Sequence, residues 1–375
     1  MDSDNSQKAL FESVHFGKKS LNNRFVMAPM TRNRSPEGVP GDDVARYYRS
    51  RAEGGVGLII TEGTYVNHPV ANGYPNVPAF HGEAALAGWK KVVDEVHAAG
   101  GLIIPQIWHC GKERMPGNWP NPELPNAGPM DIEVDGVLVT KAMDQQDIDA
   151  AVQAFAQAAA DAERLGFDGV EIHGAHGYLI DQFLWEGTNQ RTDGYGGSIE
   201  NRTRFAVELV SAIRAAVSAD FPVVFRFSQW KLGDYDARLA HNPDELARVL
   251  KPLADAGVDY FHASTRRMWE PEFEGYPYNL ATWTKQVTGK PVITVGSVGL
   301  DKEFRVGHFT REENPDAKSK VDLRQLEQGV QAGLYDLVAV GRAILADPQW
   351  TNKVRDNRLD EITHFDTRAL DELVS

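Results

Sequence analysis

A single cysteine, Cys110, among 375 residues removes three architectures by counting alone. One thiol cannot form an intrachain disulfide, a cysteine-ligated zinc site, or an iron–sulfur cluster held by this chain alone. Positive charge is also short: 39 Lys and Arg stand against 53 Asp and Glu, for a net charge of −14. Proteins that wrap phosphate backbones carry a basic face, so the expected partner is a small molecule and not nucleic acid. Long apolar runs are missing as well. No stretch approaches the roughly 18 apolar residues of a membrane span, and the polar segment Met1 to Leu10 lacks the apolar core of an export signal. The expectation is a cytoplasmic protein that does not use a membrane, with monomer or homo-oligomer left open.

What is present is enough to fold. Apolar residues make up 42% and charged residues 25%, so a sizeable core can be buried. Eight short runs rich in Val, Ile, Leu and Phe recur: Arg24–Ala28, Gly57–Gly63, Gly101–Trp108, Gly169–Gly174, Val223–Ser228, Tyr260–Thr265, Pro291–Gly296 and Leu337–Arg342. Each has the length and content of a buried parallel strand. Helical periodicity fills segments between them, at Ala84–Ala99, Asp147–Leu165, Ile199–Val217, Pro243–Ala256 and Leu323–Ala332. Ser198, with Glu200 in the first turn, is a helix start, and Gly100, Gly166, Gly257 and Gly333 are helix stops. Strand then helix, eight times over without a linker, predicts an α/β protein with one eight-stranded parallel (β/α)8 TIM barrel spanning residues 1–375 as a single domain. The widest gap carries Asp135-Gly136 between two short β-forming runs, a two-residue hairpin signal. It predicts a hairpin lid at about 111–143, inserted after strand three. Gly111–Pro129, dense in Pro, Asn and Gly, is expected to be irregular, and Arg305–Asp322 is expected to be a polar loop.

Barrels of this kind carry their chemistry at the C-terminal strand ends and often hold phosphate after strands seven and eight. Gly296, Ser297 and Gly299 follow strand seven, and Gly341 and Arg342 follow strand eight. Together they offer backbone N–H groups, a hydroxyl and a guanidinium to a dianion, although two glycine turns and a surface salt bridge would use the same residues. Gly55-Val56-Gly57 precedes its strand, whereas a dinucleotide fingerprint follows one.

The run from Asn23 to Arg32, NRFVMAPMTR, resembles the first strand of the Old Yellow Enzyme family. Residues 169–205, GVEIHGAHGYLIDQFLWEGTNQRTDGYGGSIENRTRF, resemble the signature around that family's active-site pair, and the remaining strand ends fit in register over nearly the whole chain. The resemblance implies non-covalent FMN as cofactor and NAD(P)H as reductant. It implies that Ala28, Pro29, Met30 and Thr31 line the flavin, with the Thr31 hydroxyl tuning the ring where other members have cysteine. Gly63 would let the ring approach backbone, and the Gln106 amide suits the flavin's N3–H and O2 edge, though a structural glutamine reads the same. Arg226 is more telling. A permanent charge inside an apolar strand needs a partner, and the negative charge of reduced flavin supplies one.

The same resemblance assigns the reaction. His173 and His176 would hold a carbonyl or nitro oxygen, stabilising the charge that develops as hydride reaches the β-carbon. Tyr178, with an ordinary pKa of about 10, would protonate the α-carbon. Trp108 would shape the pocket, and Tyr65, Trp230, Arg266, Arg267 and Trp269 are further lining candidates. The expected function is FMN-dependent, NAD(P)H-driven reduction of the activated C=C bond of enones, enals or nitro compounds, an ene-reductase with no metal. Two other readings remain open. His173 and His176 can be two ligands of a zinc site that lacks an evident third, and the barrel can be a lyase using Lys231, the lysine just beyond a strand end. Ser228 to Lys231 and Ser264 to Glu274 depart from the family's better-known members, and Gly187 stands where many have proline. Cys110 has no base partner in sequence and is expected to be inert.

Overall fold

The computed structural model describes residues 8–115, 117–303 and 316–375. It opens with a hairpin of β1 (Val14–Phe16) and β2 (Lys19–Leu21), turned at Gly17 with φ +57°. The barrel strands follow: β3 (Phe25–Met27), β4 (Leu58–Tyr65) and β5 (Ile103–Trp108). Three short strands intervene, β6 (Asn126–Gly128), β7 (Ile132–Val134) and β8 (Val137–Ala142). The barrel then resumes with β9 (Val170–His173), β10 (Val223–Ser228), β11 (Tyr260–Ser264), β12 (Val292–Val295) and β13 (Leu337–Val340). All eight barrel strands pair in parallel, in the order β3-β4-β5-β9-β10-β11-β12-β13, and β13 closes on β3. The expected eight-stranded parallel barrel is the one observed.

Local chemistry sets the helices that cover it. α1 (Asp42–Glu53) and α2 (Glu83–Ala98) flank β4, and α3 (Gln145–Leu165) starts on a reciprocal capping box between Asp144 and Asp147. α3 stops at Gly166, whose φ of +91° suits a residue without Cβ. The short α4 (Leu179–Leu184) follows β9, and α5 (Ile199–Ala216) takes the Ser198 cap expected from sequence, with Ser198 Oγ accepting from Asn201 N–H at 3.3 Å. α6 (Pro243–Ala256) begins with Asn242 as cap and Pro243 at the first turn, where no N–H is needed. α7 (Leu280–Thr288) and the helix Arg324–Gln331 complete the ring before β13.

Inside the barrel, alternation along each strand puts every second side chain on the axis. The lowest layer is apolar and forms its own cluster, including Val26, Leu58, Ile60, Ile104, Val224, Ile293 and Leu337. Phe16 and Leu21 of the N-terminal hairpin join this cluster and plug the barrel floor. Tyr260 pins the plug: its hydroxyl accepts from Gly17 N–H (3.1 Å) and donates to the His15 carbonyl (3.3 Å). Two residues higher on the same strands stand Gln106, Glu171, Arg226 and His262, all buried. The interior therefore turns from apolar to polar on the way to the C-terminal mouth.

The hairpin after β5 forms as expected, with Asp135 at φ +52° and Gly136 at φ +77° turning β7 antiparallel onto β8. Its outer side chains Val134 and Val137 are exposed. The loop before it departs from the irregular Gly111–Pro129 expectation, because β6 pairs in parallel with β8 and Gly111–Glu113 forms a 3₁₀ turn. The cause is side-chain to backbone bonding, which leaves no periodic trace. Buried Arg114 donates to the carbonyls of Asn118, Asn121 and Leu124, and the Asn126 amide donates to those of Lys112 and Arg114. Of the expected polar loop Arg305–Asp322, the part through residue 315 lies outside the described residues. From Asp316 onward it is tied down by Ala317, which exchanges backbone bonds with Phe365.

Candidate active site

The polar layer is a connected chain. Gln106 Nε2 donates to Glu171 Oε1 at 2.8 Å, and His262 Nδ1 lies 2.7 Å from Glu171 Oε2. A carboxylate only accepts, so the Gln106 amide is oriented with its NH₂ toward Glu171 and His262 carries its proton on Nδ1. Arg226 sits between His173 and His262 in strand register. Its one hydrogen bond among the described residues is a long contact from Nη2 to Ser264 Oγ at 3.4 Å, and its Nε has no partner there. A guanidinium only 7% exposed is costly to bury, and the nearby Glu171 carboxylate offsets part of that cost.

Above this layer the end of β9 enters a tight turn. His176 and Gly177 take φ +65° and +84°, and Tyr178 caps α4. The turn is held from several sides. His176 N–H donates to Ser228 Oγ (2.9 Å), Leu232 N–H to the His176 carbonyl (3.2 Å), and Gly177 N–H to Asp181 Oδ2 (2.7 Å). Asp181 in turn pairs with Lys231 at 2.8 Å, both side chains almost wholly buried. Burial pushes the Asp181 carboxyl up and the Lys231 ammonium down, each against the pull of the other. Lys231 also donates to the Ser228 carbonyl and faces the Trp185 ring, so its amine is committed to structure.

Five aromatic rings meet on this turn. Tyr178 stands edge-on to both Trp108 and His173, with 4.9 Å between centroids in each case, and His173 is perpendicular to His176 at 5.2 Å. Trp230 stacks on the other side of His176 at 4.3 Å. Tyr74 lies against Trp108, and its hydroxyl is 3.0 Å from that of Tyr178. Tyr74 was absent from the sequence-derived set. Its only signal was an aromatic residue in a loop of Gly, Pro and Asn after the second barrel strand.

Burial, then the Arg226 charge, holds both histidines well below the ordinary imidazole range, so they are neutral at pH 7. His173 Nδ1 accepts from Ala175 N–H at 3.4 Å, which leaves its proton on Nε2. His176 Nε2 is 2.8 Å from Ser264 Oγ. The same oxygen accepts from Arg226 Nη2 at 3.4 Å, so Ser264 ties His176 to Arg226. Tyr178 is pushed well above the ordinary phenol range by burial, with Tyr74 and Cys110 adding to it.

The other sequence-derived residues fall as follows. Ala28 donates its N–H to the Val340 carbonyl, and a Cβ placed on Gly341 would sit 3.5 Å from Met30 Sδ and 3.9 Å from Ala28 Cβ, so these three share one strand-end surface. Pro29, Met30 and Thr31 are part-exposed beside it. Gly63 pairs with Gln106, and a Cβ there would lie 2.4 Å from the Trp108 ring. Gly296 backs onto Thr265 and Met268, and the Ser297 hydroxyl donates to the Arg266 carbonyl at 2.8 Å. Gly299 lies against Trp350. Arg342 donates to the Lys302 carbonyl and packs on Phe365, and burial lowers its guanidinium to about 10. Arg266 and Arg267 both pair with Glu303, at 2.9 and 2.7 Å. Tyr65 packs on His81, and Trp269 is exposed. Cys110 is buried, with its thiol held well above its usual range. Gly187 abuts Trp185, where a Cβ would come within 2.5 Å of the indole. Among the described residues, no three His, Cys, Asp or Glu side chains cluster to hold a metal ion.

The chain matches the model of the NADH:flavin oxidoreductase / NADH oxidase family over residues 9–314. It is 42% identical to 12-oxophytodienoate reductase 7 of Oryza sativa subsp. japonica over 373 residues, covering 94% of this chain and 89% of that protein. It is 34% identical to an NADH oxidase of Thermoanaerobacter brockii across 94% of its own length, but spans only 52% of that protein. Among solved structures, morphinone reductase in complex with tetrahydroNAD superposes with a TM-score of 0.78 at 30% identity, over 96% of this chain and 94% of that one.

Proposed function

This chain belongs to the NADH:flavin oxidoreductase / NADH oxidase family, the Old Yellow Enzymes, and is an FMN-dependent, NAD(P)H-driven oxidoreductase; from that premise we propose that it reduces the activated C=C bond of α,β-unsaturated carbonyl or nitro compounds. FMN, when bound, supplies the hydride chemistry between the nicotinamide and the substrate's β-carbon. The residues present fit that group. Buried Arg226, with donors to spare, suits the anionic reduced ring, the oriented Gln106 amide suits its pyrimidine edge, and Ala28, Pro29, Met30, Thr31 and Gly63 would line it. Gly296, Ser297, Gly341 and Arg342 would receive its phosphate, chiefly through backbone N–H groups, since the Ser297 hydroxyl is spent on a carbonyl.

The substrate steps rest on the chain's own groups. His173, through Nε2–H, and the His176 imidazole hold the carbonyl or nitro oxygen and stabilise the negative charge that grows on it. Both rings are neutral, so they donate hydrogen bonds without surrendering protons. Trp108 and Trp230 wall the pocket, and Tyr178 delivers its proton to the α-carbon. The observation that carries the reading is the juxtaposition of Tyr178 with His173 and His176, with Arg226 beside His173 in strand register. Lys231 supports no lyase, because its amine is paired with Asp181.

The test is anaerobic. Purified protein should be yellow, bleach with NADPH or NADH, and regain its colour with 2-cyclohexenone. Tyr178→Phe should bleach normally but recover colour about 10²-fold or more slowly, the usual size of a lost general acid. A colourless protein that does not take up FMN, or a Tyr178→Phe variant that reduces the enone at full rate, contradicts the proposal.

A further inference from the structure

When the substrate takes a hydride at its β-carbon and a proton at its α-carbon, the Tyr178 O–H bond breaks and leaves its electron pair on Oη. The enzyme is then left with a buried phenolate, because Tyr178 is only 8% exposed. Such an anion is costly unless a donor faces it. Among the described residues, the one hydrogen-bonding partner of Tyr178 Oη is the Tyr74 hydroxyl, at 3.0 Å. The rings that otherwise surround Tyr178 are Trp108 and His173, both edge-on to it, and neither makes a hydrogen bond to its hydroxyl.

We propose that Tyr74 is the positioning and relay residue for Tyr178: it donates a hydrogen bond to the phenolate as it forms, then passes its own proton to Tyr178 Oη and recovers one from water. This rests on the reading of Tyr178 as proton donor. The relay moves protons only. The proton leaving Tyr74 Oη forms the new Tyr178 O–H bond, water's proton replaces it on Tyr74, and the hydroxide left behind is neutralised by solvent. Tyr74 is only part-buried, so it has the contact with solvent that the enclosed Tyr178 lacks. Burial holds the Tyr74 phenol at about 12, so it is a protonated donor throughout the physiological range.

The loop that carries Tyr74 is built for close placement. Gly73 lies against Cys110, where a Cβ would come within 2.2 Å of Sγ, and Cys110 N–H donates to the Ala71 carbonyl at 3.0 Å. Asn72 Oδ1 accepts from Tyr74 N–H (3.2 Å) while its amide holds the Trp119 carbonyl (3.0 Å). The buried thiol thus acts as a spacer that sets where the Tyr74 loop crosses β5.

The experiment uses the FMN-loaded Tyr74→Phe protein beside Tyr178→Phe and the parent chain, reduced anaerobically and mixed with either 2-cyclohexenone or ferricyanide. Ferricyanide takes electrons and needs no proton at carbon, so its rate reports an intact site. For Tyr74→Phe, reoxidation by the enone should slow about 10- to 100-fold, the size of one lost hydrogen bond to a charged group. Reduction by NADPH, reoxidation by ferricyanide and affinity for phenol should be unchanged. Full-rate enone reduction by Tyr74→Phe, with Tyr178→Phe slow, overturns the relay alone. Full-rate reduction by Tyr178→Phe overturns the donor reading and the relay with it. Equal slowing of Tyr74→Phe toward ferricyanide and enone assigns Tyr74 a structural role and also overturns the relay.

Discussion

A neutral imidazole pair beside a reluctant phenol has a pH signature. His173 and His176 are held low by burial and by Arg226, so protonation reaches them only well below their ordinary range. Tyr178 is held high by burial, so it loses its proton only well above its own. Neither shift places a titration in between. Enone-dependent reoxidation of the reduced protein should therefore be flat from about pH 6 to about pH 9, and stopped-flow rates across that range check it. A step near pH 6.5 would show a histidine titrating as if exposed. These residues were legible because His173, His176 and Tyr178 sit in one contiguous motif. Glu171, His262 and Ser264 were not singled out, although each is a buried polar residue on a short barrel strand, much as Arg226 is. Tyr74 had no such frame, since a loop has no period to break.

The turn between β9 and α4 is the element on which the candidate chemistry stands, and Asp181 with Lys231 is its foundation. Replacing either one alone leaves an uncompensated buried charge, and Lys231→Ala should cost about 3–5 kcal/mol in urea unfolding. The double change Asp181→Leu with Lys231→Met should recover most of that stability, yet leave Gly177 N–H without its acceptor. Enone turnover in the double variant should stay low even where the fold is restored. Elements with hydrophobic periodicity were read closely from sequence: Val223–Ser228 and Pro243–Ala256 stand as expected, and the other barrel strands differ by a few residues at their ends. The segments not read were organised by other forces. β1 and β2 are three residues each, β6 is set by Arg114 and Asn126 bonding to backbone, and α1 begins on a glycine without a side-chain cap.

At the scale of the molecule, polar ties join parts of the chain that are distant in sequence. Arg32 donates to the carbonyls of Ala369 and Glu372, and its backbone N–H donates to Glu62 Oε2 at 2.8 Å. Tyr48 of α1 accepts from Glu62 N–H. Burial lifts the Glu62 carboxyl from 4.5 to about 7, against the opposing pull of Arg32. A raised folded-state value means the protonated form favours folding, so this contribution is full below about 4.5 and is lost as pH climbs through about 7. Glu62→Gln should abolish that decline, which urea midpoints at about pH 5 and pH 8 would reveal as a smaller difference than in the parent. The plug of Phe16 and Leu21 has a different reach. With the floor closed by this plug, the C-terminal mouth is the way in among the described residues, so the nicotinamide and the molecule to be reduced are expected to take turns there. Turnover should then be ping-pong, with parallel double-reciprocal lines, and an excess of either visitor should slow the other by occupying the threshold.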